Sequence, residues 1–234
     1  MKISAEEKLM YEVMKAIYVS GIPVSFKGSM VLKAYLLEAG YFEDTRHTVD
    51  IDANWNSGST PTIEQIAESF QKALDENFIN LKVIPYRKYS DNISAGFELR
   101  DMASKEVIFT MDVDVNRSIP MTKIYEISGL CFRGVVISQM IADKVYVVSS
   151  DKIFQRIKDL VDLYYISHVC DFNRGDVLNI LKSNNRKFGR FDGFLNRIDD
   201  LKHSYEKFRF GGDINKPPFE EVYQVVKNFI AGVI

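Results

Sequence analysis

The chain has 234 residues, enough for one large domain or two small ones at roughly 100–200 residues each. Hydrophobic residues make up 46% and charged residues 26%, and 30 Lys and Arg against 32 Asp and Glu give a net charge of -2, which argues against a uniformly basic nucleic-acid coat and an acidic disordered tail. Two cysteines make no disulfide framework, no apolar run nears the ~20 residues of a membrane span, and the N-terminus with Glu6 and Glu7 lacks a signal-peptide stretch, so a soluble cytoplasmic protein with no membrane partner is expected.

Ser4 and Glu7 have capping-box spacing, and Leu9, Met10, Val13, Met14 and Ile17 recur at helical spacing, which predicts a first helix ended by Gly21 and Pro23. Residues 24–26 read as a short strand, 29–39 as a helix, 40–46 as a polar loop and 48–53 as an alternating strand. Thr62 with Gln65 opens another capped helix, followed by strand-like runs at 81–84, 93–99 and 107–115. From Ser138 onward the pattern is almost wholly helical. Ile141, Val145 and Val148 form one stripe; Ile153, Ile157, Leu160, Tyr164 and Val169 form another; Val222, Val225, Val226 and Phe229 mark a final helix. The expectation is an α+β fold, with a mixed β-sheet and flanking helices in residues 1–125 and a mainly α-helical C-terminal domain in residues 126–234.

Chemistry concentrates at Thr48-Val49-Asp50-Ile51-Asp52. Strand residues two apart face the same side, so Asp50 and Asp52 are expected to project together while Val49 and Ile51 point into a core. Adjacent carboxylates repel unless a cation compensates, and hard oxygen ligands suit Mg²⁺, or Mn²⁺. An exposed strand face with solvated charges would show the same Asp-x-Asp. Gly28-Ser29 follows a short apolar strand and precedes a helix, where backbone amides favour phosphate, although an ordinary strand-to-helix turn has the same form. Asp112 and Asp114 alternate with Met111 and Val113 in a later strand, where either acid fits a third metal ligand or a solvated face.

Taken together, FKGSMVLKAY and RHTVDID resemble the opening motif of the DNA polymerase β-like nucleotidyltransferase superfamily, and IADKVYVVSSDKIFQRIKDLVDLYYI resembles the C-terminal signature of the AbiEii/AbiGii toxin family. The second match rests on Asp143-Lys144, then Arg156, Lys158, Asp159, Asp162, Leu163 and Tyr164, and MDVDVN resembles the family's third-carboxylate strand, with Asp114 fitting that position better than Asp112. The resemblance spans about residues 24–168. Two departures stand out: residues 30–49 form a longer spacer before the acidic strand than in most relatives, and Lys27-Gly28-Ser29 stands where many members have Gly-Gly-Ser/Thr.

The resemblance implies a nucleotidyltransferase-like sheet with a helical domain completing the nucleotide site, and a toxin of a toxin–antitoxin or abortive-infection (phage-defence) system with a separate antitoxin. It implies metal binding by Asp50, Asp52 and Asp114, which with Lys144 are the catalytic residues. A nucleoside triphosphate is held by Gly28, Ser29, Lys144, Arg156, Asp159 and Asp162, with Lys33 and Arg46 adding positive charge near the phosphates. Its acceptor class is RNA, with the tRNA 3′ end foremost. Independently, Lys182, Arg186, Lys187 and Arg190 with Phe188 and Phe191 form an acid-free stretch that suits an RNA backbone or a solvated connecting loop. Two other readings share the Gly-Ser and Asp-x-Asp residues, a small-molecule (antibiotic-type) nucleotidyltransferase and a non-catalytic nucleotide-binding module.

Overall fold

The computed structural model describes residues 3–90, 93–115, 118–211 and 214–234. The chain divides into two compact units, one made of the segment up to Ala34 with Thr48–Val136, the other of Tyr35–His47 with Ile137–Ile234.

The first unit is built on a seven-stranded mixed sheet in the order β3-β4-β5-β2-β1-β7-β6. Its strands are β1 (Val24–Lys27), β2 (Asp50–Trp55), β3 (Leu81–Arg87), β4 (Ala95–Asp101), β5 (Val107–Asp114), β6 (Thr122–Ile127) and β7 (Leu130–Val135). β2 runs antiparallel to β1 and parallel to β5, and β1 runs parallel to β7. Helices α1 (Ala5–Val19) and α3 (Ile63–Glu76) begin at Ser4 and Thr62, each with the expected capping box, and α2 begins as Gly28–Glu38. Strand alternation makes one sheet face apolar: Phe26, Ile51, Ala53, Phe97, Leu99, Met111 and Val113 are buried, whereas Val49, expected in the core with Ile51, precedes β2 and is exposed. Phe70 of α3 meets Phe97 edge-on at 5.6 Å, a pair contributing about 0.5–1.5 kcal/mol beyond its area. The intervening residues, including Lys27, Asp50, Asp52, Asp112 and Asp114, occupy the opposite face.

β6 and β7 stand where the sequence suggested no strand, and they carry the sheet unit to Val136, past the division expected after residue 125. β6 is an edge strand burying only Tyr125 and Ile127, so its apolar signal is weak. Ser128 and Gly129 adopt φ of 50° and 77°, the left-handed pair that a tight two-residue hairpin needs.

The second unit contains α4 (Ile137–Val148), a 3-10 turn (Asp151–Gln155), α5 (Ile157–Ser167), α6 (Arg174–Ser183), α7 (Asp192–Asn196), α8 (Ile198–Lys207) and α9 (Phe219–Phe229). α5 packs against α4 and α9 and is buried from Asp159 through Ile166. The stripe read from Ile153 to Val169 is therefore not one helix. Arg156, at φ -125° and ψ 41°, breaks it and places Ile153 in the 3-10 turn. Among the described residues, no helix is long and apolar enough to cross a membrane.

Candidate active site

On the polar face of the sheet, Lys27 stands opposite Asp52 in the β1–β2 ladder, and Asp52 and Asn54 stand beside Asp112 and Asp114 in the β2–β5 ladder. Gly28 follows at once with φ +71°, a left-handed conformation that suits glycine. A Cβ there would collide with Oδ2 of Asp52. The glycine is thus needed twice, for the turn into α2 and for the carboxylate's approach to the backbone. Ser29 shares a 2.6 Å hydroxyl–hydroxyl hydrogen bond with Thr48, and Thr48 donates to Oδ1 of Asp50 at 2.9 Å. That relay fixes the first helical turn against the acidic strand. Thr48 was absent from the expected site, although its place two residues before Asp50 was the available signal.

The β5 carboxylates are held by other groups. Asp114 accepts from Lys27 Nζ at 2.5 Å and from Ser94 Oγ at 2.5 Å. Asp112 accepts from Arg87 at 2.5 Å and from the Tyr86 hydroxyl at 3.4 Å. No group of three or more His, Cys, Asp or Glu is gathered for a metal ion among the described residues, so Asp114 is not clustered with Asp50 and Asp52 as a third ligand. The pair with its glycine cradle still fits a divalent cation, because Mg²⁺ commonly takes one or two carboxylates and completes its shell with phosphate oxygens and water.

Lys33 lies elsewhere in the sheet unit. It is buried on α2 and donates to Glu7 of α1 at 2.5 Å.

In the helical unit, Arg46, Lys144, Arg156, Asp159 and Asp162 form one continuous network. Lys144 is buried and donates to Asp159 at 3.2 Å and to Asp162 at 2.6 Å. Arg46 grips both oxygens of Asp162 at 2.8 and 2.9 Å, the bidentate geometry that fixes orientation as well as charge. Arg156, exposed at the start of α5, donates to Asp159 at 2.8 Å. Burial pushes the Asp162 carboxyl up, but the adjoining Arg46 and Lys144 outweigh it and hold the group well below the usual carboxylate range. Burial likewise disfavours the Lys144 ammonium, while Asp162 and Asp159 raise its pKa above the ordinary value.

The basic stretch is also in this unit. Leu178, Leu181, Lys182, Arg186, Lys187 and Phe188 line an open groove of about 490 Å³. Its loop is pinned to the end of α4 by bonds from the Gly189 and Phe191 amides to Ser149, and Phe191 is buried, leaving Phe188 at the groove.

No protein-family model matches the chain, and no curated protein matches it in sequence. Among solved structures it is similar to MenT4, the nucleotidyltransferase toxin Rv2826c from Mycobacterium tuberculosis H37Rv, with 13% identity, a TM-score of 0.55, and coverage of 97% of this chain and 85% of that one. The likeness is one of fold: the mixed sheet and its helices have the α+β architecture of a nucleotidyltransferase.

Proposed function

We propose that the protein is a metal-dependent nucleotidyltransferase toxin that moves a nucleotidyl group from a nucleoside triphosphate to RNA, the tRNA 3′ end being the foremost acceptor, and that a separate antitoxin restrains it in a toxin–antitoxin or abortive-infection system. The observation that carries the reading is the left-handed Gly28 pressed against Asp52, next to Ser29 and on the same face as Asp50. A solvated strand face has no use for a left-handed glycine that admits a carboxylate. The MenT4-like fold supports the reading.

In this scheme Asp50 and Asp52 hold Mg²⁺ or Mn²⁺, which when bound offsets the negative charge of the triphosphate. Ser29 and the amides at the start of α2 bind phosphate oxygens, as helix N-termini do. The acceptor hydroxyl attacks the α-phosphorus in line. Its O–P bond forms as the bridging bond to pyrophosphate breaks, and its proton passes to a carboxylate of the acidic face, Asp114 being the proposed base. In the helical unit, Lys144 and Arg156 are proposed to serve nucleotide binding, with Asp159, Asp162 and Arg46 fixing them in place. The groove of Lys182, Arg186, Lys187 and Phe188 is the proposed docking surface for the RNA backbone.

The test is to incubate the purified protein with each labelled nucleoside triphosphate, Mg²⁺ and total RNA. Label on RNA is expected, and it should vanish in Asp50→Ala and Asp52→Ala while circular dichroism stays unchanged. Label on small molecules instead would favour an antibiotic-type enzyme. Nucleotide binding without transfer would indicate a non-catalytic module. Undiminished transfer by the double variant would overturn the assignment of the pair.

A further inference from the structure

Strand pairing lines up one rung across the polar face of the sheet: Arg87 on β3, Gly96 on β4, Asp112 on β5, Asp52 on β2 and Lys27 on β1. Gly96 is the member without a side chain. Its φ is not left-handed, so the backbone does not require glycine, and a glycine inside a strand weakens it. Space requires it instead, because a Cβ at Gly96 would lie 2.7 Å from the Tyr86 ring. Tyr86 reaches that place through a β-bulge. Pro85 pairs with Phe97 and Arg87 with Gly96, so Tyr86 is the extra residue between them and shares a face with Arg87. The Tyr86 hydroxyl and the Arg87 guanidinium both donate to Oδ1 of Asp112, at 3.4 and 2.5 Å. Glu98, two residues along β4 on the same face, accepts from Arg100 at 2.6 Å, so Asp112 and Glu98 each have a guanidinium partner. The ring is thus held in place, yet Tyr86 remains 47% exposed.

We propose that Tyr86 is the stacking platform for the base of the acceptor's terminal nucleotide. The proposal rests on the nucleotidyltransferase reading above and says where its acceptor sits. Such a reaction involves two bases, and the order of the strands chooses between them. Phosphate binding belongs to Ser29 and the start of α2, which follow β1, and the metal pair belongs to β2. Tyr86 lies over β4, on the other side of β5 from β2. In-line attack brings the acceptor hydroxyl to the α-phosphorus from the side opposite the leaving pyrophosphate. The acceptor therefore approaches from β5 and β4, where Asp114 is the proposed base. Gly96 is two strand spacings from Asp52, about 10 Å, within reach of one nucleoside from its reacting hydroxyl to its base. An aromatic ring stacks on any base, because every base has a π-face. Arg87, its guanidinium carbon 5.2 Å from the ring centre, adds a cation there, and the arginine partners of Asp112 and Glu98 offset charges that would repel an RNA phosphate.

The probe is a short single-stranded RNA ending in 2-aminopurine, whose fluorescence falls when the base stacks, titrated with the full chain and Mg²⁺ in the absence of nucleoside triphosphate. Wild type should quench it on binding. Tyr86→Ala and Tyr86→Ile should bind it about tenfold more weakly and leave it bright, and Tyr86→Phe should match wild type. Gly96→Ala keeps the tyrosine but puts a methyl where the ring rests, and it too should lose the quenching. Thermal melting checks every variant, and two replacements at Tyr86 prevent misfolding of one from deciding the matter. No quenching by wild type, or quenching that persists in both Tyr86→Ala and Tyr86→Ile, would overturn the proposal. The same titration with 2-aminopurine riboside triphosphate examines the other base. Quenching of that probe by wild type and not by Tyr86→Ala would give the ring to the donor nucleotide and overturn the acceptor assignment. Label transfer does not enter the readout, so its absence would count against the transferase reading while the quenching still reports on the ring.

Discussion

Gly28 is where backbone geometry and chemistry constrain the same residue most tightly. A left-handed φ costs a residue with a Cβ about 1–2 kcal/mol, and here the Cβ would also strike Asp52. Gly28→Ala is therefore expected to lower stability in urea by at least that strain and to depress transfer more than Ser29→Ala, because it displaces a carboxylate rather than one phosphate donor. Wild-type stability and transfer in Gly28→Ala would show that the close approach is incidental. Asp162 makes a second residue-level case, through pH. Its carboxyl titrates below the ordinary value of 3.8 in the folded protein, so its stabilising contribution is complete above that value and is lost as pH falls further. Lys144 titrates above its ordinary 10.5, so its contribution is complete below that value and fades only as pH rises through the strongly alkaline range. Stability attributable to this pair should thus be level near neutrality and fall in acid. Asp162→Asn should lose about 3 kcal/mol at neutral pH, the scale for breaking a buried ion pair, and show a shallower acid limb. Urea unfolding at several pH values measures both, and an unchanged acid limb would assign the pH dependence to other carboxylates.

At the level of elements, the join between α1 and α2 depends on one side chain with two duties. Glu7 receives the Ser4 amide in the capping box of α1 and also receives the Lys33 ammonium, both ionic partners being buried. Removing it as Glu7→Ala leaves a buried ammonium without this carboxylate and should cost about 3–5 kcal/mol. The apolar pair Glu7→Leu with Lys33→Met should recover most of that loss. If chemical denaturation finds the double variant as unstable as Glu7→Ala, the pair is not the cause. The same elements show which information was local. The box spacing revealed the start of α1, and a period of two placed Asp50 and Asp52 on one face. The partner of Glu7 lies 26 residues away and that of Arg46 lies 116 residues away, distances over which no spacing rule operates. Arg46 was accordingly expected beside phosphate and stands on Asp162. The grip of Lys27 on Asp114 depends on the strand order β5-β2-β1, which only the folded sheet supplies. The β6–β7 hairpin was missed for a different reason: its Ser128-Gly129 turn was present in the sequence, but its edge strand buries too little to display a pattern.

For the whole molecule, the net charge of -2 is a sum over regions of opposite character. Residues 41–76 hold eight acids (Glu43, Asp44, Asp50, Asp52, Glu64, Glu68, Asp75 and Glu76) against Arg46 and Lys72. Residues 182–209 hold eight bases (Lys182, Arg186, Lys187, Arg190, Arg197, Lys202, Lys207 and Arg209) against Asp192, Asp199, Asp200 and Glu206. If the basic region meets RNA, association must depend on salt even though the protein is nearly neutral, because counterions are released from the phosphates actually contacted. Arg186 is the least available of the four cations in the basic stretch, since Asp143 accepts from it at 3.0 Å and it lies over the Tyr146 ring. Three strong contacts, from Lys182, Lys187 and Arg190, would give a slope of log K against log salt of about -2 on single-stranded RNA. Replacing those three by Ser should bring the slope close to zero and weaken binding evenly across RNA sequences. Nucleotide transfer to a short acceptor that does not reach the groove should be retained. Fluorescence anisotropy with labelled tRNA over a series of salt concentrations measures the slope. An undiminished slope in the triple variant would move RNA docking away from α6 and its loop, while transfer to a short acceptor would still report on Asp50 and Asp52.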